Sequence, residues 1–279
     1  MTASTAASAV ASRSNPLGQT GDGPLRKFSW AVIDSGTIMH QNLLRWARTP
    51  AYIVFTVIQP MMFMLLFRYV FGGAIHVSVK GGYVNYLMPG IIGQTCGFTS
   101  FSTAISLAQE LQKGSIDRLR SMPMARSAVL VGRLGADLLR LALTIGVLIA
   151  TGYLVGFRFD NGVGPAVGMF VFALIIGLAV ACVSAFTGLA IRDEESVQAF
   201  GLIWVFPLTF VSSAFVPIQS MPGWLQAFAR NQPFTIFIDE LRSLAVGGPL
   251  LTGAWQSLAW IVGIFAVFGW LAARAYRRV

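Results

Sequence analysis

Long uninterrupted apolar segments alternate along this chain with short charged, glycine-rich or proline-rich segments. An apolar segment of 18 or more residues is long enough to cross a hydrocarbon layer of roughly 30 Å as an α-helix. Membrane β-strands would instead be about ten residues long with alternating polarity. The pattern therefore predicts an all-α integral membrane protein with six transmembrane helices, at about residues 50–71, 84–108, 128–154, 165–190, 199–216 and 254–273.

The chain before the first predicted span divides into two parts. Residues 1–25 are rich in Ala, Ser, Thr and Gly and contain no apolar core, which predicts a disordered cytoplasmic tail and not a signal peptide. From Phe28 to Thr49, apolar and basic residues follow an amphipathic pattern, which predicts a helix lying along the membrane surface. Residues 26–279 then form one transmembrane domain.

Composition and charge agree with a membrane protein and give its orientation. Hydrophobic residues make up 55% of the chain and charged residues 11%, well under the roughly 25% of soluble domains. The net charge of +9 is better explained by basic cytoplasmic loops than by nucleic-acid binding. With the N-terminus in the cytoplasm, fourteen of the twenty Lys and Arg lie on that side and five on the other. Both termini are therefore predicted to be cytoplasmic.

No catalytic or metal-binding motif stands out. The sequence contains no G-x-x-x-x-G-K-[ST] phosphate loop, and its two His and two Cys form no nucleophilic or metal-ligand arrangement. We therefore expect that the chain is not an enzyme and binds no cofactor, so that any transport by it needs energy from elsewhere. A secondary transporter driven by an ion gradient is the alternative, but Asp137 is the one acidic residue in the predicted spans and lies near an edge. A membrane scaffold is a third possibility.

Polar and small residues recur within two predicted spans. Four hydroxyl residues on the second span share one helical face and either line a translocation path or pack helices together: Thr95, Thr99, Ser102 and Ser106. A ridge of small residues on the fourth span predicts close helix packing: Ala173, Gly177, Ala181 and Ala185. Asp137 and Arg140, one turn apart in the third span, are expected to form a local ion pair.

The segment 109–127 joins the second and third spans and is short, charged and predicted to be helical up to Pro123. One interpretation is a basic loop that only fixes topology. However, Glu110, Gly114-Ser115, Leu119 and Pro123 resemble the E-x-x-x-G-[ST]-x-x-x-L-x-x-x-P motif of ABC type-2 permeases. Two more segments resemble that family. The segment between the fifth and sixth spans resembles its extracellular segment through Phe215–Pro217, Met221–Leu225, Asn231–Pro233 and Leu241-Arg242. The residues Arg45–Pro50 resemble its N-terminal elbow.

The resemblance covers roughly residues 28–275 and is strongest to daunorubicin-resistance-type drug-export permeases. It implies a subunit of a bacterial plasma-membrane exporter, paired with a second permease copy or a homologous permease. Two separate ABC ATPase subunits would bind ATP and Mg. The substrate would be amphipathic or lipophilic, drug-like or lipid, since the spans lack deep charge; polysaccharide and glycolipid exporters share the architecture. Membrane lipid is a further expected partner, and nucleic acid is not.

The resemblance also implies site residues. The ATPases would contact the 109–127 segment and the elbow, so coupling is expected at Glu110, Gly114, Arg118, Arg120, Pro123, Arg45 and Arg48. The proline-rich stretch 217–252 is either an interfacial hairpin or a re-entrant gate over the exit path, with Pro217, Pro222, Trp224 and Pro233 as gate residues. Asp239, Glu240 and Arg242 are expected to mark its water-facing end.

Overall fold

A computed structural model describes residues 50–75, 81–113, 126–247 and 250–278, with isolated positions between 36 and 48 and at 77 and 79. The predicted tail at 1–25, most of the predicted surface helix before Pro50, and residues 114–125 of the connecting segment lie outside the described residues.

Within these ranges the chain folds into a helical bundle. The α-helices are α1 Pro50–Leu66, α2 Gly82–Gln112, α3 Arg126–Val155, α4 Val163–Ile191, α5 Glu194–Phe210, α6 Gly223–Asn231, α7 Pro233–Val246, α8 Leu250–Ile264 and α9 Trp270–Arg278. A π-helical turn, Phe67–Phe71, extends α1, and another, Phe265–Gly269, joins α8 to α9. A 3₁₀ turn, Ile218–Ser220, precedes α6.

A long helix occupies each of the six ranges predicted to span a membrane. By length and composition, three described helical stretches are apolar enough to cross one: Val131–Val155, Val163–Ile191 and Gly253–Tyr276. Thr56–Phe71 is a shorter apolar helix. The fifth range was predicted to continue to residue 216, but α5 ends at Phe210 and residues 211–216 form a buried turn and irregular chain.

Helix α2 is the centre of the bundle, since α3, α4, α5 and α7 all pack against it. Small residues bring α4 close. A Cβ on Gly188 would stand 2.5 Å from the carbonyl oxygen of Ala104, and the Ser100 hydroxyl donates to the Gly177 carbonyl at 2.9 Å. The predicted packing ridge is confirmed, because all four of its members on α4 are buried.

Helix α7 lies inside the bundle, packed against α2, α4 and α8. Phe237, Ile238 and Leu241 on this helix are at most 1% exposed. Glu240 was expected to face water but is 9% exposed, because α8 packs against it: its Oε2 is 3.4 Å from the Cβ position of Gly253. That expectation was wrong for Glu240, whereas the side chain of Asp239 is 51% exposed.

Candidate translocation site

A cleft of about 190 Å³ lies between α1 and α2. Its walls mix aromatic, amide and hydroxyl side chains, contributed by Thr56, Gln59, Pro60 and Phe63 of α1 and by Gln94, Thr95, Phe98, Thr99 and Ser102 of α2. Three of the four predicted path residues are therefore in the wall, and Ser106 is not. Thr95 and Thr99 are also buried, so they take part in helix packing, and their role in a translocation path stays a prediction.

The hydroxyl groups of this face are engaged by their own helix. Thr95 Oγ1 donates to the Ile91 carbonyl at 2.7 Å, and Ser102 Oγ donates to the Thr99 carbonyl at 2.6 Å. Ser106 Oγ donates to the Ser102 carbonyl at 2.8 Å. Because the hydroxyl protons of Thr95 and Ser102 are used, these two wall residues offer a molecule in the cleft oxygen acceptors.

Gln94 is a wall residue that the sequence analysis missed. Its side chain is 3% exposed, and within the described part of the chain its Nε2 has no hydrogen-bond partner. A buried amide without a partner costs roughly 1–3 kcal/mol, so a structure that keeps one usually has a use for it. Gln94 lines the cleft, so its buried amide is a candidate polar group of the site. A glutamine in the middle of a predicted span was the available signal.

Behind the cleft, α3 supports α2 through a buried ion pair. Arg140 Nη2 lies 3.1 Å from Asp137 Oδ1, which confirms the predicted local pair. The same nitrogen donates to Ser102 Oγ at 2.9 Å and to the Thr99 carbonyl at 3.0 Å. Thr103 Oγ1 completes the network by donating to Asp137 Oδ2 at 2.7 Å. Two residues of the cleft wall are thus held in place by α3.

A row of phenylalanines continues from the cleft toward the segment after α5. Phe98 in the wall contacts Phe206 edge-on at 5.4 Å between ring centroids. Phe206 stacks on Phe210 at 5.2 Å, and Phe210 on Phe215 at 5.2 Å. Phe215 stacks on Phe67 of the α1 extension at 4.3 Å. This aromatic row gives the side of the bundle next to the cleft a continuous apolar surface of ring faces and edges.

Residues 211–217, which include Phe215 of the aromatic row, form an irregular and largely buried segment. Side chains from other helices donate hydrogen bonds to its carbonyls. Tyr86 Oη donates to the Ser213 carbonyl at 2.9 Å, and Arg242 Nη2 donates to the same oxygen at 2.7 Å. Tyr83 Oη donates to the Phe215 carbonyl at 3.0 Å. Arg242 also covers the Tyr86 ring at 3.8 Å. The segment is therefore pinned from α2 and α7.

Three of the four predicted gate residues are prolines at the starts of helical segments. Pro217 precedes the 3₁₀ turn, Pro222 precedes α6, and Pro233 opens α7. Proline suits a helix start because its missing N–H has no partner there. Trp224 on α6 is 76% exposed. The structure explains the prolines as helix starts, and a gating role stays a prediction.

Of the predicted coupling residues, Glu110 and Arg48 are described, and Arg48 is exposed. Glu110 Oε2 lies 2.5 Å from Arg133 Nη1 of α3, with 18% and 10% of the two side chains exposed. The neighbouring amides of α2 reach the turn between α4 and α5, Gln109 donating to Glu194 and Gln112 to Asp193. Gly114, Arg118, Arg120, Pro123 and Arg45 lie outside the described residues.

Asp193 fixes that turn. Its carboxylate accepts from the Ser196 backbone N–H at 2.8 Å and so caps α5. Hydrogen bonds from Ser196, and to a lesser degree from Gln112, hold the pKa of Asp193 below its usual value. An ionised residue here also suits the positive end of the helix dipole. This end of α2 is therefore linked to both α3 and α5, with Arg133 as a partner that the sequence analysis did not identify.

Over the described part of the chain, no group of three or more His, Cys, Asp or Glu is arranged to hold a metal ion.

Comparison with known proteins gives the family. A model of the ABC-2 type transporter family matches residues 35–246. The daunorubicin resistance ABC transporter permease protein DrrB1 of Streptomyces coeruleorubidus is 31% identical over 252 residues, covering 88% of each chain. The probable doxorubicin resistance ABC transporter permease protein DrrC of Mycobacterium tuberculosis is 31% identical, covering 87% of this chain and 88% of that protein. A putative transport permease, ycf38 of Cyanophora paradoxa, is 25% identical over 74% of this chain and 72% of its own length. The chain therefore belongs to the ABC-2 type transporter family and is a membrane permease similar to drug-resistance ABC permeases.

Proposed function

We propose that this chain is the membrane-spanning subunit of an ATP-driven exporter and that its substrate, an amphipathic or lipophilic molecule, binds in the cleft between α1 and α2. The observation that carries the proposal is the combination of Gln94, a buried amide in the cleft wall, with the aromatic row that begins at Phe98. Apolar walls with a few placed polar groups are typical of sites for small organic molecules.

The chemistry of the walls favours a flat, mostly apolar substrate with a few hydrogen-bonding groups. Phe63 and Phe98 offer ring surfaces, Gln94 offers a donor, and the Thr and Ser oxygens offer acceptors. Drugs of the kind named for the two relatives, daunorubicin and doxorubicin, have this character. At about 190 Å³ the cleft is smaller than most drug sites, which enclose about 300–1,000 Å³. A second permease copy facing it supplies the remaining wall.

Energy comes from separate subunits in this proposal. Two ABC ATPase subunits bind ATP and Mg²⁺ and contact the 109–127 segment and the elbow. Six spans with both termini in the cytoplasm place those segments on the ATPase side of a bacterial plasma membrane. The long helices in the six predicted ranges and the bias of basic residues toward that side support this arrangement.

Coupling then runs through the ATPase-side end of α2. Movement of residues 114–125 displaces Gln112 and Glu110. The Glu110–Arg133 ion pair transmits this movement to α3. The side-chain hydrogen bonds from the glutamine amides to Asp193 and Glu194 transmit it to α5. Helix α3 holds the cleft wall through Arg140, and α5 carries Phe206 of the aromatic row. From Glu110 and Gln112 onward, the contacts of this path lie within the described residues.

Transport assays on a matched pair of variants test the site. Gln94→Leu, in membrane vesicles containing the ATPase partner, is expected to lower ATP-dependent doxorubicin accumulation about tenfold, since one lost hydrogen bond costs roughly 1.4 kcal/mol. Gln256→Leu makes the same change on an exposed position of α8 and should leave accumulation unchanged. Equal transport by the two variants would exclude Gln94 from the site, and accumulation driven by an ion gradient without ATP would exclude the ATP-driven mechanism.

A further inference from the structure

A second groove, of about 340 Å³, lies where the end of α4 meets α9, away from the cleft between α1 and α2. Its walls are largely apolar, and its residues are Phe186, Leu189, Ala190, Arg192, Leu271, Arg274 and Ala275. Gln112 of α2 bonds Asp193, the residue after Arg192, so the groove lies at the same end of the bundle as Glu110.

Two arginines line this groove. Arg192 and Arg274 are both exposed, and across the described ranges neither has a carboxylate within 4.0 Å. Asp193 does not neutralise its neighbour, because its carboxylate caps α5 and accepts from Gln112. Two guanidinium groups beside one apolar groove match a ligand that carries a phosphate on an apolar tail.

The backbone at Arg192 gives independent support. Arg192 ends α4 with φ 63°, and among the described residues it is the one non-glycine with a positive φ. Glycine adopts this helix-ending conformation without the steric penalty that other residues incur. A cation at the end of a helix is favoured by the dipole, but Lys or Arg one turn earlier would supply that without backbone strain. An arginine at the strained position indicates that its side chain is used.

Trp270 sets the depth of the groove relative to a membrane. Its side chain is 58% exposed, and the guanidinium carbon of Arg274 lies 5.2 Å from its ring centroid. Exposed tryptophans on membrane helices concentrate at the level of the lipid headgroups. Arg274 is therefore held at headgroup depth, with the apolar walls of the groove extending toward the acyl chains.

We propose that this groove binds an anionic phospholipid, with its phosphate between Arg192 and Arg274 and an acyl chain along Phe186 and Leu271. Basic pockets between membrane helices are suited to such headgroups. The assignment of this lipid to the leaflet that faces the ATPases rests on the orientation in the proposed function. The existence of the site does not depend on that orientation.

Lipid titration of the purified full-length chain in neutral detergent tests this site. Phosphatidylglycerol is expected to raise the melting temperature and to remain bound in native mass spectrometry, whereas phosphatidylcholine does neither. Arg274→Gln and Arg192→Gly should each weaken phosphatidylglycerol binding about fivefold, which corresponds to about 1 kcal/mol, and the double variant about 25-fold. Arg192→Gly is informative because glycine suits the backbone at this position, so the fold is kept.

Arg230→Gln, at an exposed position of α6, is the matched control, and this variant should bind phosphatidylglycerol normally. Equal stabilisation by the two lipids, or unchanged binding in both groove variants, would overturn the proposal. Equal protection by inorganic phosphate would show a phosphate site that does not require lipid.

Discussion

Exchanging the two charges of the Glu110–Arg133 pair separates two roles for Glu110. If Glu110 acts through Arg133, then Glu110→Arg and Arg133→Glu should each lower stability and ATPase stimulation, and the double exchange should restore both. If Glu110 instead contacts a cation on the ATPase, the double exchange should lose ATPase stimulation as the single variants do. The contact geometry favours the first outcome, because Glu110 Oε2 lies 2.5 Å from Arg133 Nη1 on α3.

The size of the effect follows from burial. Removing one partner of a fully buried pair costs about 3–5 kcal/mol, because the other charge is left without compensation. Here 18% and 10% of the side chains remain exposed, so water compensates in part and we expect a loss of about 2–3 kcal/mol for each single reversal. The double exchange should regain at least half of that loss, the remainder reflecting the different lengths of the two side chains.

Thermal unfolding in detergent gives the stability part of this experiment, and substrate-stimulated ATPase activity of the assembled complex gives the coupling part. Glu195→Gln, which removes an exposed charge at the same end of the bundle, is the control; it should cost at most about 0.5 kcal/mol through the dipole of α5 and leave ATPase stimulation unchanged. Full stability and full ATPase stimulation in Glu110→Arg alone would exclude both roles of the pair, since it would then contribute neither to stability nor to coupling.

Two further predictions concern Glu240 on α7 and the close approach of Gly90 on α2 to the segment after α5. Burial raises the pKa of Glu240, so the native state favours the neutral acid and wild-type stability falls as pH rises from the usual carboxyl pKa through the raised one. Glu240→Gln should therefore raise the melting temperature at neutral pH, with the gain absent below the usual carboxyl pKa; an equal gain at all pH values would contradict this. Gly90→Ala should cost about 3 kcal/mol or prevent folding, since the added methyl would stand 2.1 Å from the Ala214 carbonyl oxygen. Gly146→Ala, where nothing lies within 4 Å, should be neutral or stabilising, and equal expression and melting of the two variants would show that the close approach is absent.

The features predictable from sequence are those set by local periodicity. Apolar runs located the six long helices, since any chain crossing a bilayer must satisfy its backbone within each segment. The small residues on α4 and the i,i+3 spacing of Asp137 and Arg140 define helix faces, so their roles as packing surface and ion pair could be read directly.

The features that escaped prediction depend on which helices become neighbours. Glu110 and Arg133 are 23 residues apart and meet only because α2 and α3 pack together. Glu240 is buried because α8 returns across α7, which no local pattern indicates. The early end of α5 likewise reflects carbonyls of residues 211–217 that accept from Tyr83, Tyr86 and Arg242 on other helices.

In the proposed mechanism, this permease moves a lipophilic substrate only when a separate ATPase supplies the energy. The most direct test is doxorubicin accumulation in sealed proteoliposomes that contain the permease with its ATPase subunits, with the permease alone, or with an ATPase whose phosphate-loop lysine is replaced. We expect ATP-dependent accumulation in the first preparation and none in the other two. ATP-driven accumulation or ATP hydrolysis by the permease alone would contradict it.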